Sequence, residues 1–131
     1  MVKLNEEMKE ILTGSMWVLA TADANGVPNA VPIHWGIILS DNKLMLVNNY
    51  MNKTIDNISN NPNVSISVWK KTTGYQFKGK AVIETSGPNF EAGAGKVIQA
   101  NPKAKPKGVV VVDLDSIYLT SPGPNAGKMV E

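Results

Sequence analysis

The segment LMLVNNYMNKTIDNISNNPNVSISV, residues 44–68, decides the fold expected for this chain. It opens with LMLVN (44–48), an apolar run of strand length that predicts a strand buried on both faces. The spacing of the next apolar residues predicts a short helix over residues 53–60, which the sequence NNP ends. The following VSISVW (64–69) alternates apolar and polar residues, as a strand with one buried face does.

The start of the predicted helix contains a local contradiction. Asn52 is typical of an N-cap, yet Lys53 follows it, and a cation in the first turn opposes the helix dipole. A bound anion would remove the conflict, because the free N–H groups of the first turn attract negative charge and Lys53 and Thr54 would add hydrogen bonds. The alternative is that Lys53 points into solvent beside a modest cap, at a cost well under about 1 kcal/mol. The residues alone leave both interpretations open.

Two amides, Asn48 and Asn49, stand between the buried strand and this helix. Side-chain amides both donate and accept hydrogen bonds, so they suit the edge of a flat polar ring. With a ring at the strand end and a phosphate at the helix start, the segment predicts a nucleotide site.

The elements before this segment are predicted to be one helix and two strands. Apolar residues at helical spacing indicate a helix over residues 4–13. MWVLATA (16–22) predicts a strand, DANG (23–26) a hairpin turn, and VPNAVPIHWGIIL (27–39) a second strand whose prolines favour an edge or a bulge.

The elements after it complete the predicted fold. GYQFKGKAVIE (74–84) predicts a strand with a bulge at Gly79, residues 89–99 a helix, and VVVVDLDSIYLTS (109–121) a last strand bent near Asp115. Six strands with short hairpin turns and three short helices predict a mainly β chain, an antiparallel barrel with helices over its openings.

Composition limits the class of protein. The 131 residues are expected to form one domain, 1–131, with the Gly- and Pro-rich tail 122–131 mobile. A net charge of +2, with no basic run interleaved with aromatic residues, argues against a nucleic-acid surface, and the absence of cysteine excludes disulfides and thiol catalysis. Because no apolar run is long enough to span a bilayer and the N-terminus is acidic and amphipathic, we expect no membrane association and a cytoplasmic location.

Motifs for other chemistries are incomplete. EAGAGKV (91–97) lacks the first glycine of a P-loop, where Phe90 stands, and its Ser or Thr, where Val97 stands. His34 is the one histidine, so a histidine-based metal cluster is excluded and no metal is expected. His34 itself is either a strand residue bonded to the backbone or a group that faces a ligand.

The sequence resembles the pyridoxamine 5′-phosphate oxidase-like FMN-binding split barrels. GVPNAVPIHWGII (26–38) resembles the second strand of that family, and residues 44–68 resemble its strand, phosphate-binding segment, helix and next strand. YQFKGKAVIE (75–84) resembles the following strand with its small-residue bulge. The resemblance extends from about Leu4 to Phe90. It implies a six-stranded antiparallel split β-barrel.

The resemblance also implies a homodimer with FMN at the subunit interface. Ten positions of this sequence match cofactor-binding positions of the family. In the family these are the strand that runs along the flavin, the strand end that contacts the ring and ribityl chain, the two basic residues on the phosphate, and a glutamine from the other subunit. They are Val31, Pro32, Ile33, His34, Val47, Asn48, Asn49, Lys53, Thr54 and Gln76. Trp17 and Trp35 are expected in the core, with shielding of the ring as the alternative.

Departures from the family narrow the expected function. The oxidases of vitamin B6 metabolism have an arginine at the position of Val31, a lysine at that of Gly36, and a C-terminal segment rich in Trp, Arg and His, whereas this chain has no arginine. It looks closer to the short FMN-binding proteins, which implies a small oxidoreductase or electron-transfer protein with an unknown redox partner or small-molecule substrate. Two alternatives remain: an oxidase of a B6 vitamer, and a non-catalytic module for a flat cofactor, haem or another flavin, with His34 as the axial ligand of haem.

Overall fold

In a computed structural model that describes residues 2–130, seven strands and three helices follow one another along the chain. The helices are α1 (Glu6–Gly14), α2 (Lys53–Asn60) and α3 (Pro88–Ala100). The strands are β1 (Trp17–Ala22), β2 (Pro28–Ile33), β3 (Gly36–Ser40), β4 (Lys43–Asn48), β5 (Asn63–Lys70), β6 (Thr73–Glu84) and β7 (Gly108–Leu119).

The strands form one antiparallel sheet in the order β2-β1-β5-β6-β7-β4-β3. Strands β2 and β3 therefore lie at opposite edges of the sheet, although only residues 34 and 35 separate them in the chain. Three residue steps, from Ile33 to Gly36, span at most about 11 Å. The sheet must consequently curl until its two edges approach each other, which produces a half-barrel.

The prediction of six strands is wrong, because the predicted strand 27–39 is two strands. Ile33 is the last residue of β2 to pair with β1, opposite Trp17, and Gly36 already pairs with Leu46 of β4. A Cβ at Gly36 would lie 2.5 Å from Cε2 of Trp17, so the glycine lets the chain pass over the indole as it changes neighbours. The edge position expected from Pro28 and Pro32 is confirmed.

The core has two parts, one on each face of β4. Leu44 and Leu46 belong to the main cluster inside the curled sheet, which α1 and α2 cover. Met45 and Val47 point the other way and pack with Val97 of α3. The prediction that this strand is buried on both faces is confirmed.

The predicted irregularity at Gly79 is confirmed, and the extra residue lies in the partner strand. Lys78 pairs with Ser116 and Gly79 with Leu114, which leaves Asp115 of β7 outside the register. A Cβ at Gly79 would lie 2.8 Å from the carbonyl carbon of Asp113 and closer still to its oxygen. Only glycine lets the two backbones approach this closely.

The C-terminal tail folds back on the end of β7. The amide of Val130 donates to the carbonyl of Ile117 over 2.7 Å, and Met129 forms a bridge with Tyr118. The mobility expected for residues 122–131 stays a prediction. Within residues 2–130 no helix is long and apolar enough to cross a membrane.

Candidate functional site

A cavity of about 490 Å³ lies where the two edges of the sheet approach each other. Its walls come from β2, the connection after β2, the end of β4 with the following turn, the start of α2, and the C-terminal end of α3 with its loop. The sequence predicts a ligand in this region from the end of β4 and the start of α2. Tertiary structure adds the walls from α3.

Eight of the ten predicted site residues line this cavity. They are Val31, Pro32, Ile33, His34, Val47, Asn49, Lys53 and Thr54. They come from separate parts of the chain, so the curl of the sheet is what brings them together.

Asn48 does not line the cavity, and its side chain is used within the chain. It is 7% exposed, and its Oδ1 accepts a hydrogen bond of 2.8 Å from the amide of Met51. Its carbonyl oxygen accepts another of 2.8 Å from the amide of Lys107. Asn48 therefore holds the turn after β4 in place instead of offering its side-chain oxygen to a ring.

Gln76 also lies outside the cavity of its own chain. It stands on β6 opposite Ser67 of β5 and Tyr118 of β7. Its predicted contact is with the cofactor of the other subunit, and that contact stays a prediction.

The start of α2 forms the basic part of the cavity wall. Lys53 is the first residue of the helix, and Asn52 occupies the N-cap position without a capping hydrogen bond from its side chain. The first-turn N–H groups therefore lack the side-chain acceptor that usually satisfies one of them. Thr54 is 2% exposed, and its Oγ1 accepts a hydrogen bond of 3.2 Å from Asn29 Nδ2.

The electrostatics of the cavity favour an anion at this end. Lys53 carries the permanent positive charge of the lining, and the residues described around the cavity include no carboxylate. The helix dipole of α2 adds to the positive potential at its N-terminus. Asp56 lies in the same first turn but is exposed and does not line the cavity, so Lys53 is the charge that the lining offers to a phosphate.

Another part of the cavity wall is aliphatic. Val31, Ile33, Val47 and Val97 provide these side chains. Asn49 also lines the cavity, and its side-chain oxygen is buried without a hydrogen-bond partner. The aliphatic wall suits the face of a flat ring.

The connection between β2 and β3 places two aromatic rings beside the cavity. His34 was expected on the strand, but β2 ends at Ile33 and His34 lies in the bend that follows, exposed at the cavity wall. Its ring meets Trp35 edge-on, with centroids 5.1 Å apart. Trp35 lines the cavity, whereas Trp17 is buried in the core and donates from Nε1 to the Leu12 carbonyl over 2.7 Å.

Eight lining residues are absent from the predicted site. They are Asn29, Trp35, Tyr50, Met51, Asn52, Val97, Asn101 and Ala104. Asn29 was detectable in principle, because it lies two residues before Val31 and so shares a face of β2. Residues 97–104 carry no such signal, because only the packing of α3 against β4 and β7 brings them to the site.

A metal ion has no visible site among residues 2–130. No three His, Cys, Asp or Glu side chains there converge on a common point where an ion would bind. The arrangement can instead hold a ligand with a planar apolar part and an anionic group.

Comparison with known proteins gives matches over most of the chain. The family model for pyridoxamine 5′-phosphate oxidase matches residues 4–121. An uncharacterized protein of Methanocaldococcus jannaschii is 36% identical over 132 residues, which cover 98% of this chain and 89% of that protein. The crystal structure of HupZ from Group A Streptococcus is 31% identical with a TM-score of 0.84, covering 95% of this chain and 99% of that one.

Two more distant structures share the fold alone. An FMN-binding protein from Syntrophomonas wolfei is 16% identical, with a TM-score of 0.74 over 82% of this chain and 78% of that one. HutZ, the haem storage protein from Vibrio cholerae, is 17% identical, with a TM-score of 0.65 over 89% of this chain and 94% of that one. The fold of this chain is thus shared by an FMN-binding protein and a haem storage protein.

Proposed function

The chain belongs to the pyridoxamine 5′-phosphate oxidase family, and from that premise we propose that it is a homodimeric FMN-binding flavoprotein, a small oxidoreductase or electron-transfer protein. The observation that carries the proposal is a cavity whose wall combines a basic, uncapped helix start with aliphatic side chains. FMN has the matching parts, a dianionic phosphate and a flat ring with a polar edge.

Each part of the cavity wall has a defined task in this proposal. Lys53, Thr54 and the first-turn N–H groups of α2 would hold the phosphate. Val31, Ile33 and Val47 would pack on the ring and exclude water from it. When bound, FMN supplies the one- and two-electron chemistry, while the protein contributes binding, orientation and electrostatics.

A second subunit is part of the proposal. Strand β3 is an edge strand, and its half-buried Ile37 and Leu39 pack in the second hydrophobic cluster. Exposed apolar edges are normally covered or protected in native proteins. A partner that covers this edge would also bring a second copy of Gln76, the residue that the resemblance assigns to the neighbouring cofactor.

Oxidation of a B6 vitamer is disfavoured by the region around Gly36. The B6 oxidases have a lysine at this position, but here any side chain would run into the Trp17 indole, with Cβ 2.5 Å from Cε2. The chain also contains no arginine to bind a substrate phosphate. A different small molecule or a redox protein is the better candidate partner.

Haem binding is the second candidate function, because His34 is exposed at the wall of the cavity and histidine is a common axial ligand. The two candidates differ in which residue is essential. FMN depends on Lys53 at the phosphate end, whereas haem depends on His34.

Titration of the purified protein with FMN, riboflavin and haemin tests the proposal. We expect FMN to bind with one flavin per chain, more tightly than riboflavin, and light scattering to give the mass of a dimer. Failure to bind either flavin, together with a Soret band that a His34→Ala variant loses, would replace the flavin proposal with the haem one. Failure to bind all three would remove both.

A further inference from the structure

The loop between α3 and β7 concentrates positive charge beside the cavity. Residues 92–112 contain four of the thirteen lysines of the chain and none of its eleven acidic residues. Three of these lysines, Lys103, Lys105 and Lys107, are exposed. Their side chains form no ion pair with another residue of the described chain. The loop therefore carries positive charges that nothing in the same chain neutralises.

The other side of this loop forms part of the cavity wall. Asn101 and Ala104 line the cavity, and Ala104 and Pro106 are half-buried between the exposed lysines. Asn101 Oδ1 accepts a hydrogen bond of 3.2 Å from the amide of Lys103, and the Asn101 carbonyl accepts one of 3.0 Å from the amide of Ala104. Pro102 restricts the backbone further. The lysines are thus presented from an ordered segment that borders the cavity.

A second segment beside the cavity presents an aromatic ring to solvent. Tyr50 lines the cavity, yet it is 90% exposed. Asn48 holds both segments. Its Oδ1 accepts from the amide of Met51 and closes the turn around Tyr50, while its carbonyl accepts from the amide of Lys107. The exposed ring and the lysine loop are therefore fixed to the same residue.

The acidic residues near this surface leave its positive charge in place. Glu84 lies beside the end of the loop, because it pairs with Val109, but its Oε1 accepts a hydrogen bond of 3.2 Å from Asn89 Nδ2. Lys53 is assigned to the phosphate of FMN, so the three loop lysines remain for another anionic partner. Exposed aromatic rings are enriched where proteins meet, and a positive patch is complementary to an acidic one.

Resting on the flavin function proposed above, we propose that Tyr50 and residues 103–107 form the docking surface for an acidic electron-transfer protein. The lysines attract and orient the partner, and Tyr50 supplies a contact that loses its water on docking. The partner's redox centre then lies close to bound FMN. A reduced partner is oxidised there, and FMN takes up two electrons and one proton.

Reduction of the FMN-loaded protein by a reduced plant-type iron–sulfur ferredoxin, an acidic one-electron donor, tests this inference. Two ferredoxins reduce one FMN, and the loss of flavin absorbance in stopped flow gives the rate constant. We expect it to fall about tenfold or more between about 0.05 and 0.5 M salt, because screening weakens the attraction. A rate constant that does not depend on salt would overturn the inference.

The triple variant Lys103→Gln, Lys105→Gln, Lys107→Gln locates the attraction on the loop. None of the three lysines lines the cavity, so the variant should remain loaded with FMN. Its rate constant at low salt should be about tenfold lower than that of wild type, and its dependence on salt should be weaker. An unchanged rate constant would contradict docking on this loop.

The variant Lys3→Gln, Lys70→Gln, Lys128→Gln is the matched control. These lysines are also exposed, do not line the cavity and lie outside the loop. The control loses the same net charge as the loop variant, yet its rate constant should stay close to that of wild type. Equal slowing of both triple variants would mean that net charge alone sets the rate, and the docking surface would be wrong.

Tyr50 provides an uncharged test of the same surface. Tyr50→Ser should slow the reduction about threefold or more at every salt concentration, because the contact is not ionic, whereas Tyr50→Phe keeps the ring and the rate. Light scattering of each variant supplies a second readout. If wild type is a dimer and the Tyr50→Ser or loop variant is a monomer, the surface joins two subunits, and the acidic partner is excluded.

Failure of this inference is distinct from failure of the proposed function. FMN binding to wild type is measured first, and its absence would overturn the flavin function. FMN binding followed by reduction that ignores salt and the loop lysines would overturn the docking surface alone. The salt dependence of wild type needs no variant to fold.

Discussion

The side-chain amide of Asn29 donates a hydrogen bond of 3.2 Å to Oγ1 of Thr54 and so joins the edge strand β2 to the first turn of α2. Because the Thr54 oxygen accepts this bond, the Thr54 hydroxyl proton remains available for a different acceptor. Both residues line the cavity. Asn29 therefore orients the Thr54 hydroxyl as a donor at the anionic end of the site.

From the hydrogen bond between Asn29 and Thr54 we expect that replacing either residue lowers the affinity for the phosphate-bearing flavin selectively. Asn29→Ala and Thr54→Val should each weaken FMN by about three- to tenfold, in line with one hydrogen bond, and riboflavin much less. Isothermal titration with both flavins measures the difference.

Asn57 and Thr21 provide the matched control. Asn57 Nδ2 donates to Thr21 Oγ1 over 2.9 Å, which likewise links α2 to a strand, and neither residue lines the cavity. Asn57→Ala should reduce stability without changing the ratio of FMN to riboflavin affinity. A similar ratio change in this variant would show that Asn29 acts through general helix packing.

Lys53→Ala should weaken FMN by about tenfold and riboflavin far less, because only FMN carries the phosphate. The difference should shrink at high salt, since screening weakens the interaction of an exposed lysine with an anion. Lys70→Ala, an exposed lysine outside the cavity, should leave both affinities unchanged. Equal loss of FMN and riboflavin in Lys53→Ala would remove Lys53 from the phosphate site.

Gly79→Ala should lower the free energy of unfolding by about 2 kcal/mol or more, because the added methyl group overlaps the carbonyl of Asp113 and backbone must move. Gly95→Ala is the control: a Cβ there meets no atom within 4 Å, and alanine in place of glycine within a helix should stabilise by about 0.5–1 kcal/mol. Urea unfolding measures both. An unchanged free energy of unfolding in Gly79→Ala would mean that β6 and β7 move apart at this point without loss of stability.

The raised pKa of Tyr75 predicts how the free energy of unfolding falls at alkaline pH. Burial, with a hydrogen bond from its hydroxyl to the Glu7 carboxylate, raises the pKa of Tyr75 from 10.0 to about 12. The folded state thus keeps a proton that the unfolded state releases, so this contribution to stability is complete below about pH 10 and is lost between pH 10 and 12.

The Tyr75→Phe variant isolates this effect. It should be less stable at pH 8 by about 1 kcal/mol, the value of the lost hydrogen bond. From pH 10 upwards the stability of wild type should fall more steeply than that of the variant, so the two curves converge. Parallel curves over this range would contradict the raised pKa.

Local patterns predicted much of the fold around the site. The helix over residues 53–60 has the predicted bounds, and Val64, Ile66 and Val68 form the buried face of β5 as their alternation indicates. The bulge opposite Gly79 was also predicted, because an isolated glycine within a strand is a local signal. These features depend on periods of 2 and 3.6 residues, which neighbouring residues alone express.

The break between β2 and β3 had no such signal. The sequence pattern of residues 27–39 is typical of one continuous strand. The change from pairing with β1 to pairing with β4 at residues 34–35 depends on the long-range contact between Trp17 and Gly36. This single error accounts for the wrong strand count and for the expectation that His34 lies on a strand.

By itself, then, the sequence determined the strands and helices other than the break between β2 and β3, and that a basic residue opens α2, because these depend on local periodicity and on single residue types. Only the tertiary structure decided how Asn48 and Asn49, identical and adjacent, divide their roles. Asn48 accepts a hydrogen bond from Met51 within the turn and does not line the cavity, whereas Asn49 lines it. A hydrogen bond depends on distance and direction in three dimensions, and the curl that brings β2, α2 and α3 around β4 exists only in the folded chain.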